Sequence, residues 1–396
     1  MRRFVFWTSA TVITYVYVLF PVLLALRGLV VRRPVRDAAI EPSISVVIAA
    51  RNEELTIGEK LVNLAELDYP SDRLEVIIAS DGSTDRTAAI VRDFMAQAAG
   101  GPTIRLLDLP PSGKAVAVTR AVESATGSVL VFSDANSIYA PGALRALVRP
   151  LADPEIGGVA GNQVYRHPDR PGEDAGERRY WSYDRLLKIL ESRAGNVIGG
   201  TGAIYAIRRP LFRPIPAGVN DDFFETAGVI EQGYRLVFAP DAVAYEPPAS
   251  RMEAEFARKV RVVSRAMRCV VELRALLDPR RHGFYAIQLL SHKILRWAVG
   301  VPLVALLVSS ALLVRRGPFY VLALVAQCLF YALAAVGTMR RSSPKGSHPL
   351  LSIPAYFVMV NLAALRAAWN LITDRRIDRW DPARASNGER EDAAAA

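Results

Sequence analysis

The sequence predicts an α/β domain built on a parallel sheet and inserted between membrane-spanning helices. Four short apolar, β-rich runs alternate with amphipathic helical stretches between Ser43 and Leu151, the pattern of a parallel sheet covered on both faces. Polar and acidic residues follow directly after three of these runs. Long apolar stretches stand toward both ends of the 396-residue chain.

The first apolar stretch, Phe4 to Leu26, is interrupted only by small or hydroxyl residues and Pro21. It matches the ~20 residues that cross ~30 Å of hydrocarbon. No small-x-small cleavage site precedes Arg27, Arg32, Arg33 and Arg36, so residues 1–36 are expected to be an uncleaved transmembrane anchor. These arginines outnumber Arg2 and Arg3 ahead of the span. The bias puts the following domain, residues 37–250, on the cytoplasmic side of a multi-pass protein of the cell's inner membrane.

Within that domain, SISVVIAA precedes a helical stretch near Leu55–Leu67, and LEVIIAS one near Arg86–Ala98. TIRLLDL precedes one near Lys114–Ala125, and SVLVFSD one near Gly142–Leu151. In such sheets ligands bind beyond the carboxyl ends of the strands. Those positions hold Asn52, Glu53 and Glu54, then Asp81 in ASDGSTD, then Asp134 and Asn136 in FSDANS. No G-x-G-x-x-G follows the first strand and no G-x-x-x-x-G-K-[ST] occurs, which disfavours a dinucleotide fold and a P-loop. Carboxylates at strand ends without a glycine-rich cradle point to a cation that carries phosphate charge. Taken alone, Asp-Ala-Asn reads equally as a strand end and helix cap, and DGSTD as a turn with an N-cap at Ser83 or Thr84.

After the domain, Glu253 to Leu273 sets Arg258, Arg261, Arg265 and Arg268 on one helical face, with Phe256, Val260, Val263, Met267 and Val270 largely on another. Such a basic amphipathic helix is expected among anionic membrane lipids, and residues 251–293 are assigned to the interface. Further spans are expected at Leu295–Val314, Phe319–Met339 and Leu350–Ile372, within residues 294–373. Because MRRSSPKG and TDRRIDRW are both basic, one of the three is expected to be re-entrant or interfacial. Residues 374–396 are read as a basic, then disordered tail. Cys269 and Cys328 lack metal-ligand spacing and read as structural. The net charge of +10 gathers beside membrane segments, without a basic patch interleaved with aromatics, so nucleic acid is not an expected partner.

Six motifs, VVIAARNEE, ASDGSTDRT, SGKAVAV, FSDANS, GGVAGNQ and NDDFFETAGVIEQGYRLVF, occur in this order. They resemble the family 2 glycosyltransferases of the GT-A fold, in the membrane-integrated branch with the hyaluronan, cellulose and poly-N-acetylglucosamine synthases. The resemblance runs from about Ser43 to Arg268. It implies that Glu53 and Asp81 hold uridine, that Lys114 contacts the nucleotide, and that Asp134 and Asn136 ligate Mg²⁺ or Mn²⁺ on the diphosphate. Asn136 replaces the family's second acid. Asp222 matches the catalytic base, and Asp221 beside it replaces a Glu. Gly195 to Arg209 resembles the acceptor-side loop and the strand after it. Arg258-x-x-Arg261-Val262 stands where relatives carry Gln-x-x-Arg-Trp; Arg258 falls on the nucleotide side and Arg261 assists the departing diphosphate. The missing Gln and Trp are a departure from processive polymerases.

The activity implied is inverting transfer of a sugar from a UDP-linked donor to a hydroxyl of a saccharide or lipid-linked acceptor, in polysaccharide or glycolipid synthesis for the cell envelope. A polyprenyl-phosphate sugar transferase, whose ionised acceptor needs no base, is the nearest alternative. An inert scaffold that only binds nucleotide-sugar is the other.

Overall fold

The structure, a computed structural model, describes residues 1–31, 33–97, 101–165, 175–247, 252–340 and 348–375. Arg32 of the basic cluster, most of the two basic segments near the carboxyl end, and tail residues 376–396 lie outside the described residues.

One eight-stranded sheet organises the domain: β1 (Ile44–Ala50), β2 (Leu74–Asp81), β3 (Thr103–Leu109), β4 (Val129–Asp134), β5 (Ile138–Tyr139), β6 (Ile156–Tyr165), β7 (Tyr205–Arg208) and β8 (Arg235–Glu246). Their order is β3-β2-β1-β4-β7-β6-β8-β5. The four predicted strands form the parallel half. β1 and β2 are buried along their whole length because helices cover both faces. Val46, Ile48 and Ile78 pack with Ile57, Leu61 and Leu147 on one side, while Val47, Ala49 and Ile77 pack with Ala117 and Ala121 on the other.

Beyond the four parallel strands read from the sequence, the sheet is mixed. β7 is antiparallel to both β4 and β6, and β5 is antiparallel to β8. Tyr205, the first residue of β7, pairs with Phe132 near the carboxyl end of β4. The chain therefore enters β7 at the strand-end edge, and no crossover helix is needed. This reversal sets the glycine-rich 199–202 segment beside Asp134.

The predicted helices appear at Ile57–Ala65, Thr87–Gln97, Lys114–Glu123 and Ala143–Val148. The second starts later than a cap at Ser83 or Thr84 allows. Asp85 Oδ1 accepts Thr87 N at 3.0 Å, whereas Ser83 and Thr84 are bound to Asn52.

Among the described residues three helices are long and apolar enough to cross a membrane: Arg2–Val30, Pro318–Arg340 and Pro349–Ile372. Phe284–Ala298 and Gly300–Arg316, bent by 53°, form a broken span or a re-entrant loop over the predicted Leu295–Val314 segment. Helix Met252–Glu272 does not lie free at a lipid surface. Ala266, Cys269 and Val270 join the core of the sheet domain, and Val263 and Met267 pack on Ala364 and Ala367 of Pro349–Ile372. Its apolar positions cover two sides, so it is clamped between the sheet domain and helix Pro349–Ile372.

Candidate active site

The ends of β1 and β2 are bound to each other through their loops. Asn52, at φ +54°, donates its N–H to Ser83 Oγ at 3.2 Å and accepts Thr84 N through Oδ1 at 2.9 Å. Glu53 N donates to Thr87 Oγ1 at 2.8 Å. Arg86 N donates to Glu54 Oε2, and Glu54 N to Asp85 Oδ2, both at 3.0 Å. Short polar side chains thus take up the backbone N–H groups of both loops. Glu53 Oε2 accepts from Thr56 Oγ1 at 2.8 Å, and burial outweighs that bond to raise its carboxyl pKa.

Asp81, wholly buried at the end of β2, accepts Ser112 N at 2.6 Å, Ser112 Oγ at 2.9 Å and Gly113 N at 2.9 Å. Its carboxylate thus holds the loop before Lys114.

Lys114 opens the Lys114–Glu123 helix, and its Nζ lies 2.9 Å from both Asp134 Oδ1 and Asp221 Oδ2. Burial works against the ammonium, but Asp134 and then Asp221 hold its pKa well above the ordinary lysine value. A Cβ on Gly202 would come within 2.8 Å of Asp134 Oδ2, so glycine is what lets this backbone approach the carboxylate. Asn136 is half-buried two residues on.

Among the described residues no group of three or more His, Cys, Asp and Glu suits a metal by itself. Asp134 and Asn136 offer hard oxygen donors on one loop, and the Lys114 ammonium shows that positive charge is held there. This donor set fits a divalent cation that draws its remaining oxygens from a diphosphate.

Asn220 caps helix Asp221–Glu231 by accepting Phe223 N at 3.2 Å. Asp222 Oδ1 accepts the same N–H at 2.6 Å. A helix N-terminus favours an ionised carboxylate, yet desolvation, with Asp221 alongside, pushes Asp222 up to about 7. Thr226 Oγ1 donates to Asp222 O at 2.6 Å and accepts Gly200 N at 3.0 Å. The acceptor-side loop is thereby fastened to the helix that carries Asp222.

Arg258 is engaged by Glu255, with bonds of 2.7 and 2.6 Å. Arg261 stands half-buried one turn later, on a helix that packs against Asp221–Glu231.

Three residues that the sequence reading passed over support the site. Lys60, fully buried, donates to Ser137 O at 2.5 Å and sits 3.8 Å from the centroid of the Tyr139 ring; burial lowers its pKa to about 7. Ser137 Oγ donates to Glu246 Oε1 at 2.8 Å. The loop after Asp134 therefore rests on a buried Lys60 and Glu246. Glu225, one turn after Asp222, accepts from the Tyr205 hydroxyl, and burial raises its carboxyl pKa well above the ordinary value. A signal for Lys60 existed: it interrupts the apolar stripe Ile57, Leu61, Leu64.

Residues 45–215 match the model of the glycosyl transferase family 2. An N-acetylglucosaminyltransferase of Rhizobium sp. (strain N33) is 28% identical over 219 residues, covering 51% of this chain and 48% of its own. A probable glycosyltransferase of Bacillus subtilis (strain 168) is 35% identical over 220 residues, covering 52% and 50%. The chain spans about half the length of these curated relatives. A mannosyltransferase from Pyrobaculum calidifontis, solved in complex with GDP-Man and Mn²⁺, superposes with a TM-score of 0.72 at 25% identity, over 94% of this chain and 100% of that one.

Proposed function

Residues 45–215 match the glycosyl transferase family 2 and the sheet is that of the GT-A glycosyltransferases, and on that premise we propose that the chain transfers a sugar from a nucleotide-sugar to a hydroxyl of a saccharide or lipid-linked acceptor at a membrane, with inversion. The observation that carries this reading is the position of Lys114, 2.9 Å from Asp134 and from Asp221. It unites the strand end suited to a diphosphate with the helix that holds a base.

In the reaction Asp222 removes the proton of the acceptor hydroxyl, whose oxygen bonds to the anomeric carbon as the bond to the diphosphate oxygen breaks on the opposite face. One base and no enzymic nucleophile give inversion. Lys114 and the half-buried Arg261 neutralise the leaving diphosphate. Asp134 and Asn136 would hold a divalent cation that, when bound, would supply further Lewis-acid stabilisation of that charge, a reading supported by the Mn²⁺ and GDP-Man bound to the similar mannosyltransferase. Glu53 and Asp81 flank the donor base, which we assign to uridine. An ionised phosphate acceptor would have no use for a carboxylate raised to about 7, and this favours the hydroxyl over the polyprenyl-phosphate alternative. The reconstituted chain should release nucleotide and transfer sugar with at least one member of a UDP- and GDP-sugar panel. Turnover of none of them would leave only the scaffold reading.

The base must be ionised to act, so protonation inactivates it. kcat/KM, which reports the free enzyme, should fall about tenfold per pH unit below about 7 and level off above it. A profile flat from pH 5 to 8 would remove Asp222 from this role.

We further propose that the domain lies on the cytoplasmic side of the cell's inner membrane, on the strength of the basic residues after the first span. Ser71 is exposed on the domain. With exposed Cys328 replaced by Ala, a Ser71→Cys chain should resist an impermeant maleimide in intact cells and react after lysis. Labelling before lysis would reverse the orientation.

A further inference from the structure

Helix Phe284–Ala298 carries His292, Lys293 and Arg296 into the junction between the catalytic domain and the membrane helices. The Lys293 ammonium lies 5.1 Å from the centroid of the Phe223 ring, the residue next to Asp222. Its charged neighbours are Asp184, Arg296, Asp222 and Glu191. Two of the three carboxylates are committed elsewhere. Asp184 pairs with Lys188 at 3.5 Å; Glu191 contacts His292 Nδ1 at 2.5 Å and accepts Ile198 N at 3.1 Å. The third is the base itself. The Lys293 ammonium has no hydrogen bond or ion pair among the described residues.

Polar groups continue from this point between the membrane helices. Arg296 reaches His292 Nε2 at 3.0 Å and lies over the Tyr183 ring. The Tyr15 hydroxyl is 2.8 Å from Ser291 Oγ, and Tyr17 hydrogen-bonds Asn361. A polar seam therefore runs from Phe223 along Phe284–Ala298, flanked by Arg2–Val30 and Pro349–Ile372. Ionisable groups buried between apolar helices are costly and mark ligand or substrate paths. The same helix secures the acceptor-side loop: Gln288 Nε2 donates to Asn196 O at 2.8 Å and the Tyr285 hydroxyl to Ile198 O at 2.9 Å.

We propose that Lys293 binds the phosphate of a membrane-borne acceptor, a lipid phosphate ester whose hydroxyl-bearing group is thereby presented to Asp222. The inference rests on the glycosyl-transfer reading and names its acceptor as an anionic lipid. The Phe223 face preorganises the ammonium, a charge-assisted bond fixes the phosphate, and the seam between apolar helices takes the chain.

The test uses the full chain in detergent, with farnesyl monophosphate, farnesol and inorganic phosphate as probes and calorimetric titration as the readout. Farnesyl monophosphate should bind the wild type, weaken roughly 10–100-fold in Lys293→Gln, and recover most of the loss in Lys293→Arg. Farnesol should not distinguish the three proteins. Equal binding of farnesyl monophosphate to wild type and a folded Lys293→Gln overturns the proposal. Inorganic phosphate that binds as tightly as the ester, and through Lys293, overturns its lipid part. Should Lys293→Gln not fold, acetylation of the wild type decides: Lys293 protected by farnesyl monophosphate and not by farnesol supports the site, and equal acetylation rejects it. Intact lipid-phosphate binding without any nucleotide-sugar turnover would instead sink the transfer reading and leave the site standing.

Discussion

Asp222→Asn should lower sugar transfer by roughly 10²–10⁴-fold, the worth of a positioned general base, while nucleotide affinity stays near that of the wild type. The substitution is nearly isosteric. Asn Oδ1 can still accept Phe223 N, the bond that Asp222 makes at 2.6 Å, and the Thr226 bond goes to the main chain of residue 222. The fold of the helix start is therefore preserved, and the loss reads as chemistry. Asp221→Asn should behave differently. Asp221 is a Lys114 partner at 2.9 Å and one of the groups that raise Asp222. Its loss should shift the acid limb of kcat/KM below about 7 and reduce the rate less than Asp222→Asn does. Transfer rate and nucleotide affinity, measured on the same folded variants, separate the cases. Near-normal transfer by Asp222→Asn would promote a phosphate acceptor. Joint loss of transfer and nucleotide binding would make Asp222 a structural carboxylate.

The parallel half of the sheet was legible because its strands are continuous apolar runs, and the acids at their ends follow from where such sheets bind ligands. The other half was not legible by pattern. β6 contains Gly157, Gly158 and Gly161, and a Cβ at Gly157 would come within 2.5 Å of Leu211. Tertiary crowding demands glycine in a strand whose local propensity argues against one. Helix Met252–Glu272 shows a second limit. An apolar stripe records that a face is covered, and lipid and protein leave the same mark, so the pattern could not reveal Ala364 and Ala367 as its partners. At the site, the identities of Asp134 and Asp222 came from motif order, but their junction through Lys114 is a three-dimensional fact that no spacing encodes. Lys60 was visible as a charge on an apolar stripe; that it supports the loop after Asp134 required the fold.

Chelation should abolish transfer, and Mg²⁺ or Mn²⁺ should restore it, if the charge of the departing diphosphate is carried chiefly at Asp134. Lewis-acid stabilisation worth several kcal/mol corresponds to roughly 10³-fold in rate, so Asp134→Ala should fall at least that far. The variant should still fold, because Lys114 keeps Asp221 as a partner and Lys60 still supports the loop through Ser137 O. Asn136→Asp adds a second charged oxygen ligand and should tighten Mn²⁺ in the presence of UDP by roughly tenfold, read by electron paramagnetic resonance without turnover. Unchanged Mn²⁺ affinity would exclude Asn136 as a ligand. The structure also defines the competing outcome, since an ammonium already lies against Asp134. If Lys114 itself carries the diphosphate charge, chelation leaves transfer intact and Lys114→Met abolishes it. If a metal carries it, Lys114→Met weakens nucleotide binding yet leaves the requirement for Mg²⁺ or Mn²⁺ in place. The two substitutions, each assayed with and without chelator, therefore decide which positive charge faces the leaving group.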